Sequence, residues 1–108
     1  RFHGKYPANW KGLSFDTLEA IKAKVGDMPL VLHGGTGITP DDFVRCSQTG
    51  IKKINIATAT FDMVENTVAN CYNENSINGY YDLQAAEVEG AYQNAKTHIL
   101  IFGTDNKA

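Results

Sequence analysis

Two histidines in this chain each precede glycine at an apparent strand end: His3-Gly4 and His33-Gly34-Gly35. An imidazole at a strand end is a candidate metal ligand, and bare glycine backbone beside it lets an anion approach. Neighbouring parallel strands lie about 4.8 Å apart. Two such imidazoles could therefore converge on one ion, and zinc takes nitrogen ligands at about 2.0–2.1 Å. The competing reading is two unrelated histidines satisfied by backbone hydrogen bonds. Gly34, Gly35 and Thr36 offer backbone N–H groups and one hydroxyl just before a helix start, which suits phosphate. An ordinary tight turn is the other reading. Asn55 and Thr58 end the next apolar run and should face the same crevice, although Thr58 or Thr60 could equally cap the following helix. His98, within the last helical stretch, reads as structural.

The elements that must position these groups follow from patterning. Arg1-Phe2-His3-Gly4 reads as the end of a strand whose beginning is absent. Ser14 caps a helix to about Val25, with Phe15, Leu18, Ile21 and Val25 on one apolar face and Gly26 as its stop. Leu30 to Leu32 has the content of a buried parallel strand. Thr39 and Pro40 read as N-cap and first residue of a second helix, with Asp41 and Asp42 favourable in its first turn. Phe43, Val44 and Cys46 supply its apolar side, and Gly50 ends it. Ile51 to Ile56 is the next strand. A helix from about Thr60 to Tyr72 carries Phe61, Val64, Val68 and Cys71 at helical spacing. After a polar loop, a last helix from about Asp82 to Phe102 presents Val88, Tyr92, Ala95, Ile99 and Phe102, and Gly103 stops it.

Strands alternating with helices imply a parallel α/β sheet with crossover helices. Two or three strands cannot close a barrel, which takes about 250 residues. The 108 residues therefore read as the C-terminal part of something larger. The formal charge of −2 gives no electrostatic footprint for nucleic acid or an acidic membrane. No apolar run is long enough to span a bilayer, and the start has no signal-peptide pattern. Cys46 and Cys71 form no CxxC pair and read as buried free thiols of a cytoplasmic protein.

Taken together, His3-Gly4-Lys5-Tyr6, then Pro29 to Gly37, then Lys53-Ile54-Asn55-Ile56-Ala57-Thr58 resemble the C-terminal portion of class II, zinc-dependent ketose-bisphosphate aldolases. The fructose- and tagatose-bisphosphate enzymes are the nearest members. The likeness runs through essentially the whole chain, and the order and spacing of three motifs make it specific.

The resemblance implies a (β/α)₈ TIM barrel, of which residues 1–108 would be one C-terminal segment, in a homodimer or larger assembly. It implies that His3 and His33 are two of three zinc ligands. Gly4, Gly34, Gly35 and Thr36 would bind the phosphate of dihydroxyacetone phosphate. Asn55, Ile56, Ala57 and Thr58 would form the segment holding the ketose phosphate, with the Asn55 side chain at the reacting end. A monovalent cation, Na⁺ or K⁺, would sit near the phosphate. The implied reaction is aldol cleavage of a ketose 1,6-bisphosphate to dihydroxyacetone phosphate and an aldehyde such as glyceraldehyde 3-phosphate, as in glycolysis.

Two departures stand out. No residue here matches the family's third zinc histidine or its acid/base aspartate. Leu83 stands where many members carry an arginine that holds a second phosphate, which weakens the case for a bisphosphate. The alternatives are an aldolase for another phosphorylated keto sugar, such as the deoxy-keto-gluconate phosphate of inositol breakdown, or a non-catalytic phosphate-binding module.

Overall fold

The computed structural model describes residues 6–107. Along the chain run α1 (Phe15–Val25), β1 (Leu30–His33), α2 (Pro40–Thr49), β2 (Ile51–Asn55), α3 (Thr58–Asn73) and α4 (Tyr80–Phe102). The chain divides into two units between Ala57 and Thr58. The expected strand ending at His3 lies outside the described residues.

The first unit is a β-α-β arrangement with α1 before it. Local chemistry sets its boundaries. The Ser14 hydroxyl accepts from the Thr17 N–H, and the Gly26 N–H returns to the Lys22 carbonyl. Thr39 accepts from the Asp42 N–H at 3.2 Å, and Pro40 opens α2 where no N–H is needed. Gly50 closes α2 at φ 118°, a left-handed conformation that costs glycine little.

β1 and β2 pair in parallel, with Leu32 opposite Ile54 and His33 opposite Asn55. The register shifts between Leu30 and Val31, so that Val31 meets Lys53 while Leu30 meets Ile51. Alternation then separates the two faces of the ribbon. Leu30, Leu32 and Ile54 pack with Leu13 and Leu18 on the buried cluster of Phe15, Cys46 and Ile51. The Arg45 guanidinium lies 3.8 Å above the Phe15 ring and closes one side of that cluster. Val31 and His33 point the other way and are exposed.

Two of the expected apolar positions do not pack in this unit. Ile21 and Val44 are 44% and 42% exposed, because a two-stranded ribbon buries only the centre of each helix. Cys46 is fully buried, as expected, and burial pushes its thiol up from the ordinary value, with Asp42 adding to the effect and Arg45 opposing it. Cys71, expected to be buried, is only half-buried.

The second unit is an α3–α4 pair. Its helices start earlier than the spacing suggests, at Thr58 and Tyr80. Thr60 is therefore inside α3 and caps nothing; its hydroxyl accepts from the Asn94 amide at 2.8 Å. The packing face of α4 also differs from expectation. Val88, Tyr92 and Ile99 are exposed, and Ala86, Gly90 and Asn94 are buried instead. Phe61 of α3 is exposed as well.

The physical reason lies at Gly90. A Cβ placed there would stand 2.7 Å from the Val64 Cα and 3.0 Å from the Met63 carbonyl oxygen. The backbones approach so closely that only the small-residue stripe fits between them. His98, one turn beyond Asn94, meets the Asn94 carbonyl through Nδ1 at 2.8 Å, a structural role as expected. Gly90→Val is expected to destabilise the pair by about 1–3 kcal/mol through overpacking against backbone. A fall in the urea midpoint checks this; an unchanged midpoint would mean the helices can separate without loss. Among the described residues no helix is long and apolar enough to cross a membrane.

Candidate functional site

The site begins where the two strands end. His33 is the last residue of β1 and Asn55 the last of β2, and they are register partners. Partners in a parallel ladder project to the same face, so the imidazole and the carboxamide lie side by side. The Asn55 Nδ2 and the His33 Nδ1 are 3.2 Å apart. As placed, the amide donates and Nδ1 accepts. Turning the amide over presents Oδ1 instead and matches the opposite tautomer. Asn55 can thus orient the ring in either protonation pattern. Both groups lie on the face turned away from the α1–α2 layer.

The glycine loop leaves the sheet directly from His33. Gly34 has φ 76° and Gly37 φ 85°, conformations that side chains resist. Gly35 is buried, and its N–H donates to the Asn55 carbonyl at 3.2 Å, extending the ladder one step beyond the strand. That N–H is therefore committed to the sheet and not presented to a ligand, which narrows the donor set expected from the sequence. Gly35 is also closely packed by side chains. An added Cβ would lie 3.0 Å from Ile56 Cγ1, 3.2 Å from Ile54 Cγ2 and 3.4 Å from Phe43 Cε1. The loop then turns through a bond from the Ile38 N–H to the Gly35 carbonyl and enters α2 at Thr39.

Tyr6 reaches the loop from the other side. Its hydroxyl donates to the Gly34 carbonyl at 2.7 Å. Its ring stacks on Trp10, with centroids 3.7 Å apart and planes 6° from parallel. Burial raises the Tyr6 phenol above its ordinary value, so it remains a donor through neutral pH. Tyr6, Trp10, Leu13, Ser14, Val31, Leu32 and His33 line an open cleft of about 430 Å³. Tyr6 enters the sequence reading only as the end of the His3-Gly4-Lys5-Tyr6 motif, with no role of its own, and Trp10, in a turn-rich loop, carries no spacing signal. The placement of both rings is a tertiary fact.

The remaining sequence candidates fall as follows. His3 and Gly4 lie outside the described residues. Thr36 is half-buried within the loop. Ile56 is half-buried and Ala57 exposed just after β2, and Thr58 is the first residue of α3. His33 is an imidazole donor suited to a metal, but no group of three His, Cys, Asp or Glu side chains gathers among the described residues.

Comparison with known proteins gives this geometry a family. Residues 1–107 match the family described as fructose-bisphosphate aldolase class II. A fructose-bisphosphate aldolase of Streptococcus pyogenes serotype M3 is 34% identical over 122 residues, covering 98% of this chain and 40% of the relative. A fructose-bisphosphate aldolase of Mycoplasma pneumoniae is 54% identical over 56 residues, which is 52% of this chain and 19% of that protein. The chain thus spans about two fifths of the streptococcal relative's length. The crystal structure of the YdjI aldolase from Escherichia coli K12 superposes with a TM-score of 0.80 at 29% identity, over 89% of this chain and 35% of that one. The parallel strand ends, the glycine loop and a family match that runs from residue 1 to residue 107 lead to one conclusion: the chain belongs to the class II fructose-bisphosphate aldolase family.

Proposed function

We propose that this chain is the C-terminal segment of a (β/α)₈ barrel that cleaves a phosphorylated ketose by a zinc-dependent aldol reaction. The observation that carries the reading is the His33–Asn55 pair at two adjacent parallel strand ends, with the glycine loop rising from one of them. In such barrels the helices lie outside and the chemistry sits at the C-terminal ends of the strands. The pair lies on the sheet face opposite the helical layer and at that end. The exposed Val31 and Lys53 on the same face would be covered by the rest of the barrel.

In this reading His33 and His3 hold the zinc ion. Zinc, when bound, supplies a Lewis acid toward the substrate carbonyl. Asn55 orients the His33 ring and extends its amide toward the reacting end of the substrate, as such partners commonly do for metal-binding histidines. The loop at Gly34, Gly35 and Thr36, with Gly4 and the run Asn55 to Thr58, holds the phosphate and fixes the reacting carbons. A monovalent cation, Na⁺ or K⁺, accompanies the phosphate. Cleavage breaks the C3–C4 bond. Its electron pair stays with the three-carbon fragment, and the C4 hydroxyl gives up its proton as the aldehyde departs. The proton acceptor belongs to another part of the barrel. The working form is a cytoplasmic homodimer or larger assembly.

Leu83, in the first turns of α4, favours a second reading of the substrate. Without a cation at that position, a ketose with one phosphate fits as well as a bisphosphate. The test uses the full-length polypeptide carrying this chain. Release of dihydroxyacetone phosphate is expected from fructose, tagatose or another phosphorylated ketose, lost on chelation and restored by zinc. Cleavage that persists undiminished in chelator, or binding of phosphate with no cleavage of any of these sugars, would replace the aldolase with a different function.

A further inference from the structure

The Gly34–Gly35 peptide is gripped at both of its polar ends. Its N–H runs to the Asn55 carbonyl, and its C=O receives the Tyr6 hydroxyl at 2.7 Å. In a trans peptide these two groups point in opposite directions. The strand end therefore holds one edge of the loop and Tyr6 holds the other. Such a grip matters here because Gly34, at φ 76°, sits in a conformation with little intrinsic preference, and a peptide between two glycines turns over readily.

Tyr6 is itself held. Trp10 stacks on its ring, and the Trp10 N–H bonds to the Pro7 carbonyl, closing the turn that carries both rings. The Tyr6 ring edge also reaches the far end of the loop, where an added Cβ on Gly37 would meet Cδ2 at 3.4 Å. The hydroxyl donates to backbone, so it acts through the loop.

We infer that Tyr6 is a positioning residue: its hydroxyl fixes the orientation of the Gly34–Gly35 peptide and so shapes the phosphate-binding loop that follows His33. The inference rests on the phosphate reading of that loop and extends it to a residue outside it.

Tyr6→Phe tests it in the full-length zinc-loaded enzyme, because phenylalanine keeps the ring and the stack and removes only the hydroxyl. Two inhibitors are compared, dihydroxyacetone phosphate and phosphate-free dihydroxyacetone. The expected result is a three- to tenfold weaker inhibition by the phosphorylated compound, about the effect of one neutral hydrogen bond. Inhibition by dihydroxyacetone, zinc content and melting temperature should stay as in the parent. Equal inhibition of parent and variant by dihydroxyacetone phosphate overturns the role of Tyr6 and leaves the phosphate loop standing. Weakening of both inhibitors together with a lower melting temperature, or failure to fold, assigns Tyr6 a purely structural role and also overturns it. If the parent itself does not bind dihydroxyacetone phosphate, the phosphate reading falls and takes this inference with it.

Discussion

His33→Ala in the full-length protein is expected to lower aldol cleavage by roughly a thousandfold or more, while the apo form melts at the parent's temperature. The loss follows from the proposed role. Removing one of three protein ligands weakens the metal, and the Lewis acid supplies several kcal/mol of transition-state stabilisation. About 4 kcal/mol corresponds to the stated factor. The fold should survive because His33 ends β1 with its side chain exposed, and Leu30 and Leu32, not His33, hold the strand to the core. The Asn55 amide loses a partner but is open to water, so no buried polar group is stranded. Metal content measured beside turnover decides the matter. Full zinc occupancy with unchanged turnover would remove His33 from the site.

The parts of this fold that were legible in the sequence are those whose physics is local. Ser14, Thr39-Pro40, Gly26, Gly50 and Gly103 mark helix ends because a cap needs only its own neighbours, and each does so here. The two strands were legible as short apolar runs, and their parallel pairing follows from the helix between them. That pairing is also what brings His33 and Asn55 together. What escaped was decided by contacts across the chain. Val88, Tyr92 and Ile99 form an apolar stripe on α4, but a stripe does not say what it faces. The backbone approach at Gly90 selects Ala86, Gly90 and Asn94 for the α3 contact instead. The register shift beside Lys52 has no residue signature. The Gly35 N–H reads from the sequence as available to an anion, but the ladder continues past His33 and takes it up.

That continuation sharpens what a side chain at Gly35 would do. A Cβ there meets Ile56, Ile54 and Phe43 at 3.0–3.4 Å, and the two further methyls of valine add to that crowding. The loop must lift from the end of β2, and the bond from the Gly35 N–H to the Asn55 carbonyl breaks. Gly35→Val is accordingly expected to raise KM for a phosphorylated ketose by at least about tenfold, roughly 1.4 kcal/mol of binding. Overpacking adds a stability loss of about 1–3 kcal/mol, visible in the melting temperature. Zinc content should change little, since His33 stays on the strand and keeps its register partner. Gly35→Ala should lie between parent and valine, because the crowding Ile56 and Ile54 atoms are side chains that can shift by a few tenths of an ångström. Thr36→Val is expected to do less than Gly35→Val. It removes one hydroxyl and leaves the backbone path intact, a loss of about 0.5–1.5 kcal/mol for a neutral hydrogen bond and more for a charged acceptor. Steady-state kinetics with inhibition by dihydroxyacetone phosphate measures all three variants. The order valine, alanine, parent in KM would tie phosphate affinity to loop position. If Gly35→Val and Thr36→Val both bind dihydroxyacetone phosphate as tightly as the parent, the loop is a turn that serves only the sheet, and the phosphate must be held elsewhere in the barrel.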